Sequence, residues 1–526
     1  MDKLRDALKD WLEIRPAAGQ KIAINEPMSF NTEVIRNKIW YRGNANEIEQ
    51  LYKQLDTGYG GTARFWASVP ETEQIRKIHS GLPAMIVDTL AYIVCSDMSD
   101  VELGDDAAQD AWEEIAEAIH FDSLMTEAVT QTLVSADGAF KISIDTDISP
   151  YPLVEFFPAD RISYLVRHGQ LYGVDFWTDI RNDKRMFRLR ERYALVNQEC
   201  TVTYALFNGD KEVPLDTVEE LAGMKPVMVS GNYLMAVPLK FYESPRFPGR
   251  GKSIYDNKTD VFDAHDEVVS QWIDAVRAGR VAKYIPEDMI PRSPDTGALL
   301  TTDPVNSFGT HFIKTIPLPN ETGKQGQIDV VQPEIRYEAY ESTYASTLDM
   351  CLQGIISPAT LGIDVGKMSS ADAQREKKDV TGHTRNAITA VLEKVIPRLV
   401  SAVLMTYDNM QGEAPGRYDP YVTFGEYGAP DFGSRVETIG KAAASGVMSI
   451  ESQVDELWGA SKDDNWKAQE VARIKQLKGI EMAEEPYTGD DLTDVVVTDD
   501  MGGNSGVVPA DRAAADRIVE AEPEKA

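Results

Sequence analysis

Residues 253–278 contain neither proline nor glycine and sort into two faces. Asp256, Asp260, Asp263, Glu267 and Asp274 follow one another at intervals of four, three, four and seven. At about 100° per residue they fall within about 40° of one line along a helix. Ile254, Val261, Val268, Val269, Trp272 and Val276 form an apolar arc opposite that line. Such a helix has to bury the arc against another element while its other side stays anionic. Solvated helix faces usually mix both signs to gain ion pairs, whereas Lys258 and Arg277 sit off the acidic line. The line reads equally as a functional surface or as the solvated outer face of a core helix.

The flanking sequence frames this helix. A cluster of Pro245, Pro248, Gly249 and Gly251 precedes it, Ser253 is placed to cap it, and Gly279 closes it. Residues 280–333 carry seven prolines and strand-like runs at 281–285, 311–316 and 327–331, a small α+β insertion. A second helix is expected over 334–352, with Glu334, Glu338 and Glu341 on one line. Gly354, Pro358 and Gly362 break the pattern before a long helix over 370–410, which Pro397 should kink.

Upstream, residues 46–55 and 107–119 show helical spacing in a mainly helical N-terminal part, with a turn at Gly58, Gly60 and Gly61. Runs rich in β-branched and aromatic residues at 140–144, 153–157, 171–177, 186–193 and 201–207 suggest an antiparallel meander. Downstream come a strand-like return at 418–424 and helical stretches at 435–444, 450–457 and 466–478. The fold class is α+β.

A chain of 526 residues with 43% hydrophobic content suits two or three packed domains. Its first ten residues lack the apolar core of a secretion signal, and the apolar run 84–95 is short and carries Asp88, so no membrane span is expected. Cys95, Cys200 and Cys351 are far apart and odd in number, as for free thiols in a reducing compartment. The net charge of −32 should repel DNA over most of the surface, although an ordinary acidic cytosolic protein would carry it too. Residues 481–526 hold 13 acidic and 3 basic residues without Trp or Phe. That segment cannot bury enough apolar area to order itself and should be dispensable for assembly.

Chemistry-bearing motifs are weak. Gly251-Lys252-Ser253 resembles the end of a phosphate-binding loop, but Arg246 stands where that motif needs glycine. His79, His120, His168, His265, His311 and His383 are scattered, with no metal-ligand spacing. There is no nucleophile elbow, and carboxylates are too abundant for an acid–base pair to be singled out. No catalytic residue, metal or cofactor is expected.

Other residues resemble the portal proteins of tailed bacteriophages, particularly those of phages of Gram-positive bacteria. Asn37-Lys38-Ile39-Trp40-Tyr41-Arg42-Gly43, followed by Glu47 and Tyr52, is similar to that family's N-terminal signature. Gly251-Lys252-Ser253-Ile254-Tyr255 resembles the approach to its first stem helix. Ser357-Pro358-Ala359-Thr360-Leu361-Gly362-Ile363-Asp364, then residues 369–378, resembles its tunnel loop and the start of its long kinked helix. Residues 443–450 with Glu470 and Arg473 resemble its C-terminal run.

The resemblance implies a portal fold: a mixed α/β wing (1–250), a first stem helix (251–279), a clip (280–333) and a second stem helix (334–355). A tunnel loop (356–369), a long kinked helix with a return to the wing (370–430), a helical crown (431–480) and an acidic tail (481–526) complete it. It implies a ring of about twelve subunits at one capsid vertex, closed by heterologous contacts. Double-stranded DNA would pass non-specifically through it during packaging and ejection. Partners would be the terminase large subunit, a head-completion (adaptor) protein and the major capsid or scaffolding protein, in the virion and, during assembly, in the host cytoplasm.

On this reading Asp256, Asp260, Asp263, Glu267, Asp274, Glu334, Glu338 and Glu341 line the channel and keep DNA from sticking. Ser357, Pro358, Leu361, Gly362 and Lys367 belong to the tunnel loop. The alternatives are a soluble nucleotide-using enzyme built around Gly251 to Ser253, or another capsid component such as a shell protein.

Overall fold

Helical apolar spacing builds the first part of the chain as α1 (Phe30–Arg42), α2 (Ala45–Tyr59), α3 (Leu82–Ser96), α4 (Asp106–Ala118) and α5 (Phe121–Ser135). The structure, a computed structural model, describes residues 28–59, 64–67, 75–182, 185–279, 282–286, 292–297, 311–315, 329–332, 334–363, 371–425, 432–458 and 464–477. Ser29 caps α1 by accepting the Thr32 N–H, and Gly43 ends it at φ 66° with its N–H on Ile39 O. α2 continues through Gly58, while Gly60 and Gly61 lie outside the described residues.

The strand-like runs become β1 (Gly138–Ser143), β2 (Leu153–Pro158), β4 (Gln170–Asn182), β5 (Arg185–Val196) and β6 (Glu199–Asn208). They do not form one meander. The 3-10 turn Ala159–Arg161 breaks the ladder after β2, so β1 and β2 join β9 (Ala236–Leu239) in the order β2-β1-β9. A second sheet runs β3-β4-β5-β6-β7, with β3 (Ile162–Arg167), β7 (Lys211–Val213) and β8 (Val227–Val229) added, β8 also pairing with β6. As the central strand of its sheet, β1 is buried almost throughout. Even Lys141 is buried there, and it lies 2.9 Å from Glu155 and 3.3 Å from Glu191.

The two-faced helix is α6 (Thr259–Ala278), and it begins later than expected. Ser253 is not its cap: its Oγ accepts the Tyr255 N–H at 3.1 Å and donates to Leu133 O at 2.9 Å. The chain then turns through Asn257 at φ 64° before the helix starts. Gly279 does close α6, its N–H on Ala275 O.

The insertion's described strands, β10 (Ala282–Pro286), β11 (His311–Thr315) and β12 (Asp329–Val331), form a sheet with β10 central, parallel to β11 and antiparallel to β12. Among its described residues there is no helix, where an α+β insertion was expected.

α7 (Tyr337–Leu352) starts after Glu334, so Glu334 precedes the helix on which it was placed. α8 (Ala371–Gln411) runs on through Pro397, which has no N–H to offer the carbonyl of Glu393. The expected return at 418–424 is two isolated antiparallel bridges, Glu102↔Tyr421 and Met98↔Phe424.

The family-like signature in α1 is a packing hub. Trp40 is fully buried, donates Nε1–H to Tyr52 Oη at 3.3 Å and lies 5.9 Å, ring to ring, from Phe262 of α6. Burying a side chain of this size contributes about 2–3 kcal/mol, and here it holds α2 and α6 on α1.

Gly251 is required by a close approach: a Cβ there would meet Ala136 O at 2.1 Å. Its N–H donates to Asp137, which is fully buried and also takes a two-pronged contact from Arg250 at 2.8 and 2.9 Å.

The chain divides into two compact units, Met1–Ala429 and Pro430–Ala526. The second contains α9 (Phe432–Ala444), α10 (Ile450–Trp458) and α11 (Asp464–Leu477), close to the expected stretches. Trp458 and Trp466 meet edge to face at 5.6 Å, and Lys467 pairs with Asp455 at 2.9 Å. The acidic segment 481–526 lies outside the described residues.

Candidate functional site

α6 and α7 lie side by side, joined by aromatic rings. Trp272 stacks on Tyr340 with planes 8° apart and centroids at 6.2 Å, and His265 meets Tyr344 at 5.0 Å and Thr347 Oγ1 at 3.0 Å. The apolar arc therefore has a partner within the chain, α7, as a two-faced helix requires. Val261, Val268, Val269 and Trp272 are half-buried. Ile273, Val276 and Tyr337, towards the far end of the hairpin, remain exposed at 39%, 53% and 60%.

The acidic line does not survive as one open face. Asp263 is buried and accepts the backbone N–H of Phe65 at 2.8 Å and of Trp66 at 3.0 Å. Burial pushes its carboxyl above the ordinary aspartate range, opposed by those two N–H groups. Asp256 lies in the turn before the helix and accepts from Asn37 Nδ2 at 3.3 Å; burial raises it too. Both are corrected from channel-lining positions: Asp256 is half-buried against Asn37 of α1, and Asp263 is covered by residues 64–67, which with residues 75–80 form a strap on α6. Asp260 stays exposed but pairs with Arg64 of that segment at 3.0 Å.

The residue that holds this strap most firmly was missed. Asp266, fully buried, accepts Ser80 N–H at 2.9 Å and Trp66 Nε1–H at 3.2 Å, and lies 2.7 Å from His79 Nδ1. One turn on, Ser270 Oγ accepts Ile78 N–H at 2.9 Å. The only sequence signal was an acid lying off the acidic line, towards the apolar side, and the donors it satisfies are nearly 200 positions away.

Beyond the strap lie five more of the expected carboxylates. Glu267 and Asp274 are half-buried, and Glu334, Glu338 and Glu341 are exposed. Among the described residues none of the five is in an ion pair; Glu267 accepts from Gln271 at 2.9 Å and Glu338 from Tyr337 Oη at 3.3 Å. These five carboxylates share the far half of the hairpin with Arg277, half-buried, and Arg336, exposed.

The start of the expected tunnel loop is docked. Of the residues expected in the tunnel loop, Ser357 and Pro358 are buried and Leu361 is half-buried. Thr381 Oγ1 of α8 accepts Ser357 N–H at 2.9 Å, and Thr384 Oγ1 donates to Ile355 O at 2.7 Å. Gly362 is exposed at φ 69°, a conformation that favours glycine. Lys367 lies outside the described residues.

At Gly251 to Ser253, the Gly251 N–H is spent on Asp137 and the Ser253 hydroxyl on Leu133 O. That loop has no such donors left to cradle a phosphate.

The raised carboxyl of Asp256 has a consequence for pH. A folded-state pKa above the unfolded one costs stability once the pH rises past the ordinary aspartate range, and the cost vanishes below it. Asp256→Asn should therefore be more stable than the parent at pH 7, with the difference shrinking as the pH falls through about 4. Denaturant unfolding across that range measures it. A loss of stability independent of pH would contradict the assignment.

No protein-family model and no curated protein matches the chain. Solved structures that are similar in part include two neck structures. One, titled as the neck of a native GTA particle computed with C12 symmetry, has 14% identity and a TM-score of 0.39 over 72% of this chain and 89% of that chain. The other, the neck of an empty GTA particle computed with C6 symmetry, has 13% identity and a TM-score of 0.36 over the same shares. At these TM-scores the likeness assigns neither family nor function.

Proposed function

We propose that the chain is the subunit of a closed, portal-type ring whose α6–α7 hairpins line a channel for double-stranded DNA. The observation that carries this is the hairpin itself: two helices zipped by Trp272, Tyr340 and Tyr344, with unpaired carboxylates beyond the strap and a small sheet between their far ends. The wall is Glu267, Asp274, Glu334, Glu338 and Glu341, with Asp260 at its base. Phosphates release no counterions to such a surface and gain nothing by stopping there, so a duplex slides.

The sheet of β10 to β12, with the rest of 280–333, is the docking surface for the packaging motor, a terminase large subunit, and for the head-completion protein. The loop that includes Lys367 is the part closest to the duplex. Capsid or scaffolding protein holds the ring in its vertex. Twelve chains of 58.4 kDa make an assembly of about 700 kDa. Light scattering of the purified chain should give a mass in that range; a single-chain mass at micromolar concentration would defeat the proposal.

A further inference from the structure

Charge is unevenly placed in the first unit. Residues 78–140 hold 13 Asp and Glu and no Lys or Arg, whereas residues 161–192 hold eight Lys and Arg against four acids. In a chain of net charge −32 the second segment is an exception.

The structure places three of these arginines on one face of β5, two of them opposite aspartates of β4. Along β5, Phe187, Leu189, Glu191 and Tyr193 point into the molecule, while Arg188, Arg190 and Arg192 point outward. The register sets Arg190 opposite Trp177 of β4 and Arg188 opposite Phe207 of β6. The Arg188 guanidinium lies 5.2 Å from the Trp177 ring centre, and that of Arg190 lies 5.3 Å from the Phe207 ring centre. Arg192 is satisfied by Asp175 at 2.7 Å and Arg188 is shared with Asp179 at 3.3 Å. Arg190 has no carboxylate among the described residues, and its Nε is buried without a hydrogen-bond partner.

The acidic surface is α4. Asp106, Asp110, Glu113 and Glu117, spaced four, three and four, are exposed on one face, while Ala108, Trp112 and Ile115 bury the other. None of the four has a cationic partner among the described residues. Glu113 and Glu117 line a cleft of about 800 Å³ together with Asp100 and Asp122. A cleft lined by four carboxylates and one histidine, His120, with neither Lys nor Arg in its lining, is suited to guanidinium groups.

We infer that these two surfaces are the halves of one heterologous contact: the arginine face of β5 in one copy docks on the α4 face of the next. The inference rests on the ring reading and says what closes the ring. Unlike surfaces meeting head to tail generate a ring when the rotation closes, and a chain this acidic needs a cationic patch to approach its own kind. The occupant is a second copy and not a nucleic acid, because the rest of the surface repels phosphate while one copy supplies both halves.

The test uses the full chain in two variants. Arg188→Glu with Arg190→Glu spoils the sheet face; Glu113→Arg with Glu117→Arg spoils the helix face. Each alone should fall from ring mass to single-chain mass, with circular dichroism unchanged. Mixed in equal amounts, each variant's intact or reversed face meets its complement on the other, so rings should return. Should the Glu variant misfold, Arg188→Gln with Arg190→Gln should still raise the concentration for half-assembly about tenfold. Rings formed by each variant alone, or a mixture that stays at single-chain mass, would overturn this contact while leaving the ring intact in the parent. A parent that is itself a single chain would remove the ring and this contact together. Duplex DNA binding that the Arg→Glu changes abolish, with assembly unchanged, would also overturn it.

Discussion

Asp266→Ala should lower the stability of the first unit by about 3–5 kcal/mol, the cost of leaving buried partners of a carboxylate without an acceptor. Asp266 is fully buried, and its oxygens hold the backbone of Ser80, the indole of Trp66 and the ring of His79. Those groups have nowhere else to turn, since the strap crosses α6 with Trp66 packed into the core. Asp266→Asn should cost less, because its carbonyl oxygen still accepts while its amide faces donors. Urea unfolding followed by tryptophan fluorescence reads both changes. A loss below about 1 kcal/mol for the alanine variant would mean that Trp66 is held by packing alone.

Reversing the wall should affect function as strongly as removing Asp266 affects stability. Glu267, Asp274, Glu338 and Glu341 changed together to Lys would place cations along every hairpin of the ring. Phosphates would then bind the wall, so packaging should slow by at least about tenfold or stall, and the block should ease as ionic strength rises. The set leaves out Asp256 and Asp263 deliberately: a lysine at Asp263 would expel the strap and confuse unfolding with channel chemistry. Lys367→Ala should do far less, one phosphate contact per subunit being a small term. Packaging in a reconstituted motor reaction measures this. Unchanged packaging by intact rings would show that these carboxylates do not face the duplex.

The sequence made some of this legible and hid the rest for physical reasons. Periodicity located α4, α6, α8 and most strands, because a buried face repeats locally. It could not separate the two sheets, since the break after β2 is a 3-10 turn with no strong signature. It placed five acids of the 253–278 segment on one line but could not tell which were covered, because cover comes from Asn37 and from residues 64–67, far away in sequence. Asp263 and Glu267 look alike in the sequence; one caps a distant turn, and the other accepts only from Gln271 one turn on, among the described residues. Ser253 looked like a helix cap because capping residues read by type alone, whereas its hydroxyl was already engaged by Leu133. The Trp40 signature was read as a resemblance, and the structure gives its physical content as the hub on which α6 is seated.

The central claim is that this chain forms a channel. Negative-stain images of the purified full chain at micromolar concentration test it most directly. End-on views should show closed rings with a central hole, and side views a narrow projection formed by the hairpins and their small sheets. A uniform field of single-chain particles of 58.4 kDa with no hole would contradict it.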